Sequence, residues 1–258
     1  MTRTEPHPAE AVDALAVEHV SWRAGAVPII SDVTLRVAPG ELVALIGPNG
    51  AGKTSLFNVV SGLYRPSGGR VLLGGADVTR LAPYRRARLG LGRTFQTSAV
   101  FASLTVIENV ALGIQAARGG SMRPWRRRSD RSITAAAHDI ADRVFLGERK
   151  AATAGSLAHG EKRKLEIALL LAAAPKMLLL DEPMAGVSAE DVLALAEVIH
   201  GLTGDGRGVL MVEHHMDVVL DLADRVAVMH HGTLLACDSP AAVMADATVQ
   251  EAYVGEAL

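Results

Sequence analysis

The feature that most constrains this chain is a phosphate-binding loop between an apolar run and a helical pattern. Residues 42–46 are all apolar, as in a strand buried on both faces, and apolar residues recur at helical spacing over 56–63. Between these segments the sequence is Gly47-Pro48-Asn49-Gly50-Ala51-Gly52-Lys53-Thr54-Ser55, which contains G-x-x-x-x-G-K-[ST] in full. Such glycines let backbone N–H groups surround phosphate oxygens, while the lysine neutralises phosphate charge and the Thr54 hydroxyl can bind Mg²⁺. We therefore predict a nucleotide phosphate site at residues 47–55.

A second apolar run ends in two carboxylates that complement this loop. Residues 177–180 are apolar, and Asp181 and Glu182 follow them directly. In a parallel sheet the carboxyl ends of the strands share one edge, so these acids are expected beside the phosphate loop. Asp181 could hold Mg²⁺ directly or through water, and Glu182 could polarise an attacking water molecule.

Apolar runs alternate with helical patterns along the chain, which predicts an α/β fold with a mainly parallel sheet. A third buried strand is expected over residues 208–213, and a hairpin is expected to turn near residues 231–232. Residues from about 98 to 175 lack a strand pattern and are rich in Ala, Leu and Arg, so a helical subdomain is predicted there. We expect residues 1–13 to be a flexible tail and residues 14–258 to form the folded domain.

Composition excludes several other classes of protein. The chain has 26 basic and 28 acidic side chains, which argues against a strongly basic nucleic-acid binder, and no nucleic-acid partner is expected. Its single cysteine, Cys237, cannot form an intrachain disulfide and indicates a reducing compartment. The most apolar stretch, residues 167–180, contains Pro175 and Lys176 and falls short of the ~20 apolar residues that span a bilayer. The sequence therefore predicts a protein that is soluble, or peripheral through a partner.

Four further segments, in chain order, resemble the motifs of ATP-binding cassette (ABC) ATPases. They are Thr94-Phe95-Gln96, Leu157-Ala158-His159-Gly160-Glu161, Ala185-Gly186-Val187-Ser188 and Val212-Glu213-His214. The resemblance runs from about residue 14 to the C-terminus. It implies a P-loop NTPase fold with a mainly parallel core sheet, an antiparallel β subdomain and a helical subdomain. It also implies ATP and Mg²⁺ as ligands, with Gln96 joining Thr54 and Asp181 at the metal.

The segment 157–161 stands where the family has its LSGGQ signature, which caps the γ-phosphate bound by the opposite subunit. Ala158, His159 and Glu161 depart from that signature, whereas Leu157 and Gly160 match it. The serine hydroxyl is lost, but backbone N–H groups near Gly160 and the dipole of the following helix can still face a phosphate. The resemblance therefore implies that residues 158–161 contact nucleotide.

Two other site residues also depend on the resemblance. His214 takes the place of the switch histidine, which holds the attacking water and Glu182 in line, and the neighbouring His215 is the rival candidate. The family stacks adenine on an aromatic residue, but Ala24 occupies that position here. Trp22, two residues earlier, is the substitute, or else it is an ordinary packed strand residue.

Finer features resemble the ATPase subunits of branched-chain amino acid importers. They are the segments around 90–96, 104–110 and 164–168 and the ending Tyr253-Val254-Gly255-Glu256. This resemblance implies ATP hydrolysis coupled to import of branched-chain or related small amino acids or amides. Alternatives are another cargo, such as urea or a short-chain amide, and a soluble regulatory ATPase outside transport.

The partners implied are transmembrane permease subunits and a second ATPase subunit, either an identical copy or a paralogue. A substrate-binding protein would act indirectly, and the location would be peripheral, on the cytoplasmic face of the inner membrane. Residues 97–104 would help to form the groove for a permease helix. A GTP-binding switch is disfavoured because the chain has no N-K-x-D motif. A small-molecule kinase is disfavoured because Glu182 and the signature-like loop favour water as the acceptor.

Overall fold

The chain forms two β-sheets with helices packed around them. This computed structural model describes residues 12–94, 100–119 and 131–254. Its strands are β1 (Leu15–Ala24), β2 (Val27–Val37), β3 (Leu42–Ile46), β4 (Gly68–Leu73), β5 (Ala76–Asp77), β6 (Leu91–Arg93), β7 (Met177–Asp181), β8 (Gly208–Val212), β9 (Arg225–His230) and β10 (Thr233–Asp238). The smaller sheet is antiparallel, in the order β2-β1-β4-β5.

The larger sheet brings the ends of three strands to one edge. Its order is β10-β9-β3-β8-β7-β6, and every neighbouring pair is parallel except β9 with β10. Leu45 of β3 and Asp181 of β7 both pair with Val212 of β8. The phosphate loop therefore begins at the level where β7 and β8 end, with their acidic and histidine residues beside it.

Helices cover both faces of the larger sheet and form a separate group at one side. They are α1 (Lys53–Ser61), α2 (Pro83–Arg88), α3 (Val106–Ala117), α4 (Arg131–Arg143), α5 (His159–Ala172), α6 (Ala189–His200), α7 (Met216–Leu222), α8 (Pro240–Ala245) and α9 (Ala247–Val254). α3, α4 and α5 pack on one another, within the region predicted to be helical. Among the described residues, no helix has both the length and the apolar character needed to cross a bilayer.

The strands of the larger sheet are buried on both faces, which explains their unbroken apolar sequences. Side chains alternate between the faces of a strand. In β3, Leu42, Ala44 and Ile46 therefore face the core that contains α3 to α6, whereas Val43 and Leu45 face the core that contains α1 and the smaller sheet. Both cores depend on β3, so the strand that leads into the phosphate loop is fixed from both sides.

Candidate nucleotide site

The phosphate loop has a backbone that its glycines make possible. Gly47, Gly50 and Gly52 all have positive φ, at 146°, 81° and 100°. A Cβ at Gly47 would lie 2.1 Å from the carbonyl oxygen of Met229, whereas a Cβ at Gly50 would meet no atom within 4 Å. The loop is therefore packed tightly at its base and open at its tip. Thr54 is exposed and Ser55 is half-buried at the start of α1, where free N–H groups and the helix dipole favour an anion.

The Lys53 side chain packs against the buried side of the phosphate loop. Its side chain is 7 % exposed, and its Nζ donates to the carbonyl oxygens of Gly47 and Pro48, the latter at 2.9 Å. Burial lowers the pKa of this ammonium, and the charge of Glu182 opposes that shift. A bound phosphate would give the buried cation an anionic partner in place of neutral carbonyls.

The turn between β9 and β10 holds the phosphate loop from the side. The Gly232 N–H donates to Ala51 O at 3.0 Å, and Gly232 O accepts from Ser31 N–H of β2 at 2.8 Å. Gly232 has a φ of 81°, and a Cβ there would lie 2.4 Å from Ile29 O. The turn was expected from the sequence near residues 231–232, but its contact with the phosphate loop was not.

Asp181 ends β7 as a nearly buried carboxylate. Its side chain is 6 % exposed, and its Oδ2 lies 3.3 Å from a guanidinium nitrogen of Arg93. Burial raises the pKa of Asp181, and the positive charge of Arg93 opposes that rise. Arg93 also donates to Asn58 Oδ1 at 2.8 Å and to Ser61 Oγ at 2.7 Å in α1. Arg93 thus ties the end of β7 to the helix that begins at the phosphate loop, a role that the sequence motifs did not reveal.

The available oxygen ligands fit Mg²⁺. The cation prefers hard oxygen donors and usually keeps only one or two protein ligands beside phosphates and water. Thr54 offers an exposed hydroxyl, and Asp181 offers a carboxylate of which only one oxygen contacts Arg93. Gln96, the third metal ligand expected from the sequence, lies outside the described residues. Its role at the metal and the nucleotide stays a prediction.

Glu182 and His214 lie in contact at the edge of the sheet. His214 Nε2 is 3.1 Å from Glu182 Oε1, and both side chains are a little under half exposed. Glu182 has a φ of 47°, a left-handed conformation that is rare outside glycine, and its N–H donates to Val212 O at 3.0 Å. The structure therefore brings together the two residues predicted to be catalytic. The rival His215 instead lies 3.1 Å, through Nδ1, from Glu213.

The signature-like segment lies at the start of α5. Ala158 N–H donates to the Glu161 carboxylate at 2.9 Å, so the glutamate caps the helix although Ala158 has no side-chain acceptor. His159 Nε2 lies 3.4 Å from Ala185 O, and a Cβ at Gly160 would meet Asp191 at 2.8 Å. Ala158 and His159 are exposed, as a contact with a second subunit requires. Nucleotide contacts by residues 158–161 stay a prediction.

Trp22 lies in β1 with its ring stacked on Tyr64. The ring centroids are 4.4 Å apart and the planes differ by 8°. Trp22 is half-buried and packs against the core beneath the smaller sheet. One face of the indole is therefore already covered by a protein ring. The alternative role of Trp22, stacking on adenine, stays a prediction.

Replacing Trp22 by Ala separates the two roles. Because the ring packs on Tyr64 and on the core, we expect the variant to lose about 2 kcal/mol of unfolding free energy in a urea titration. A double-mutant cycle with Tyr64→Ala should give a coupling energy of roughly 0.5–1.5 kcal/mol. Unchanged stability together with weaker ATP binding would instead assign the ring to the base.

Comparison with known proteins identifies the family of the chain. A family model described as ABC transporter matches residues 30–185, more than half of the chain. The chain is 38 % identical over 250 residues to the high-affinity branched-chain amino acid transport ATP-binding protein LivG of Escherichia coli strain K12, covering 94 % of this chain and 98 % of LivG. It is 35 % identical over 250 residues to BraF of Pseudomonas aeruginosa, described in the same words, with the same shares covered.

A relative with a different role is similar to nearly the same degree. The lipopolysaccharide export system ATP-binding protein LptB of Haemophilus influenzae is 36 % identical over 228 residues, which cover 88 % of this chain and 91 % of LptB. Identity over the whole chain therefore supports the family more strongly than it supports one cargo.

Solved structures give the same fold. A nucleotide-free ATP-binding cassette from an ABC transporter has a TM-score of 0.81 at 28 % identity, with 95 % of this chain and 100 % of that chain covered. The ADP conformation of an ATP-binding cassette has a TM-score of 0.83 at 29 % identity, with 95 % and 99 % covered. The expected P-loop NTPase fold and the expected ATPase class are confirmed. The chain belongs to the ABC transporter family and is one of its ATP-binding cassettes.

Proposed function

We propose that this cassette hydrolyses Mg-ATP to drive import of branched-chain amino acids through separate membrane subunits. The observation that carries the hydrolytic part is the contact between Glu182 and His214 at the sheet edge that bears the phosphate loop. The cargo is inferred from relatives named for branched-chain amino acid transport. Small amino acids and amides are included because the sequence resemblance extends to their importers.

The chain's own residues divide the work of hydrolysis. Lys53 and the N–H groups of residues 47–55 bind the phosphates, and Thr54, Asp181 and Gln96 would hold Mg²⁺. When bound, this cation neutralises charge on the phosphate oxygens. Glu182 accepts a proton from water as the water oxygen bonds to the γ-phosphorus and the bond to ADP breaks. His214, hydrogen-bonded to Glu182, keeps that carboxylate aimed at the water.

The proposed assembly contains two cassettes, either two copies of this chain or this chain and a paralogue. Residues 158–161 of each cassette face the phosphates bound by the other, and ATP joins the two while hydrolysis releases them. The cassettes act on transmembrane permease subunits, and a substrate-binding protein delivers cargo from the other side. This arrangement places the chain at the cytoplasmic face of the inner membrane, held there by its partners.

Reconstitution tests the cargo and the direction together. The tagged chain is purified with its membrane subunits and placed in liposomes that hold ATP on the cassette side. We expect labelled leucine, presented with the binding protein, to accumulate on the cassette side only with hydrolysable ATP. Transport of leucine or of a related small amino acid or amide would support the proposed cargo, whereas transport of urea or of lipopolysaccharide in their place would overturn it. If no membrane subunit binds the chain and the chain still hydrolyses ATP, a regulatory ATPase would be favoured.

A further inference from the structure

Glu213 is a buried carboxylate in the middle of this site, with no role assigned so far. It follows β8 directly and is only 2 % exposed. Its Oε1 accepts from Met184 N–H at 2.8 Å. Its Oε2 accepts from His214 N–H at 2.8 Å and from His215 N–H at 3.3 Å, and lies 3.1 Å from His215 Nδ1.

These partners belong to the two loops that carry the proposed catalytic pair. Met184 lies two residues after Glu182 in the loop that follows β7, whereas His214 and His215 follow β8. One oxygen of Glu213 bonds to the first loop and the other oxygen bonds to the second. All three backbone partners are N–H donors, so the position requires a side chain that accepts at both ends. An ionised carboxylate meets that requirement, and its burial is tolerable because both oxygens are hydrogen-bonded.

The bond to Met184 also braces a strained residue. A left-handed backbone such as that of Glu182 is unfavourable for a residue with a Cβ, so neighbouring contacts must hold it. Val212 O binds the Glu182 N–H, and Glu213 binds the N–H two residues further on. Consecutive residues of one strand end thus fix the backbone on both sides of the proposed base.

We propose that Glu213 is a positioning residue for ATP hydrolysis, which sets the loop bearing Glu182 against the loop bearing His214. The 3.1 Å contact between these side chains depends on where their two backbones lie, and Glu213 bonds to both. This inference rests on the proposed roles of Glu182 and His214. It adds that their alignment is set by a third side chain, which is buried and bonded to the backbone of both loops.

Glu213→Gln tests the role because its amide has only one accepting end. If the amide oxygen faces the His214 N–H, the NH₂ group opposes the Met184 N–H, and the loops lose their link. We expect kcat for ATP, measured on the full chain with its membrane subunits, to fall roughly 10- to 100-fold. KM and the dissociation constant for ATP should stay within about twofold. Glu213→Asp keeps the charge but is too short to reach both loops, so it should give a similar fall in kcat and replaces the Gln variant if that variant does not fold.

Glu41→Gln is the matched control. Glu41 is also a mostly buried carboxylate that accepts a backbone N–H, from Ala38 at 2.6 Å, and it pairs with Arg225 at the opposite end of β3. We expect its kcat to equal that of the wild type. An equal loss of kcat in both variants would mean that Glu213 affects only the general stability of the fold, and it would overturn the proposal.

A double-mutant cycle separates failure of this inference from failure of the proposed mechanism. In single-turnover assays, Glu213→Gln should lower the rate by no more than about twofold when His214 is already Ala, because the aligned pair is then absent. Equal fold losses in both backgrounds would overturn the positioning role alone. Wild-type rates in His214→Ala and Glu182→Gln would overturn the proposed mechanism and this inference with it.

Discussion

Glu182→Gln is expected to slow ATP hydrolysis about 100- to 10,000-fold while ATP still binds. Glutamine has the size of glutamate and can keep the hydrogen bond to His214, but its amide cannot accept a proton from water. Single-turnover hydrolysis of radiolabelled ATP measures the loss, and calorimetry measures the dissociation constant. Because ATP would persist between the cassettes, the variant should also accumulate as a dimer in size-exclusion chromatography with Mg-ATP.

Glu197→Gln is the control for this prediction. Glu197 is exposed in the last turn of α6, at the other end of that helix from the loop that bears Glu182, and its replacement should leave hydrolysis at the wild-type rate. Near-normal hydrolysis by Glu182→Gln would show that Glu182 is not the base. Loss of ATP binding in the same variant would instead show that the carboxylate shapes the phosphate site.

Lys53→Ala is expected to weaken ATP binding by roughly 100-fold or more. A charge-assisted hydrogen bond is worth about 1.5–3 kcal/mol, and Nζ lies at the base of the loop where it can reach more than one phosphate. The alanine variant loses the hydrogen bonds to two carbonyls but also removes the desolvation cost of a buried cation, so the fold should survive the change. Calorimetric titration with Mg-ATP gives the affinity, and thermal unfolding without nucleotide verifies the fold.

Lys176→Ala makes the same change of charge at the opposite edge of the sheet. Lys176 is exposed and directly precedes β7, whose other end carries Asp181. Its replacement should leave the dissociation constant for ATP unchanged. If Lys53→Ala bound ATP as tightly as this control, the loop at residues 47–55 would not be the phosphate site.

The parts that could be predicted from the sequence have local causes. β3, β7 and β8 are buried on both faces, so their apolar runs contrast with the polar turns that follow. The glycine spacing of the phosphate loop shows directly in the sequence because positive φ and close backbone approach restrict the residue type. The strand expected over residues 208–213 ends at Val212, one residue before the carboxylate that turns inward.

The parts that could not be predicted join residues from distant segments. Arg93 contacts both Asp181 and α1, and the motif resemblance of residues 90–96 gives no sign of either contact. The role of Glu213 could not be predicted either, because a glutamate after a strand is expected at the surface. Only the fold buries this side chain and brings it hydrogen-bond donors from two loops. By sequence, Trp22 could be an adenine platform or a packed residue, and its stacking on Tyr64 forms only when the chain that follows α1 packs against β1.

The contact between the turn at Gly232 and the phosphate loop has a consequence for biosynthesis. β3 lies between β8 and β9, and Gly232 N–H donates to Ala51 O, so the loop depends on segments that are translated long after it. A nascent chain contains the complete motif of residues 47–54 long before β8, β9 and the turn at Gly232 leave the ribosome. Nucleotide binding should therefore begin only after β9 and the Gly232 turn have been made, and a protein shortened before β9 should keep residues 47–55 yet bind no nucleotide.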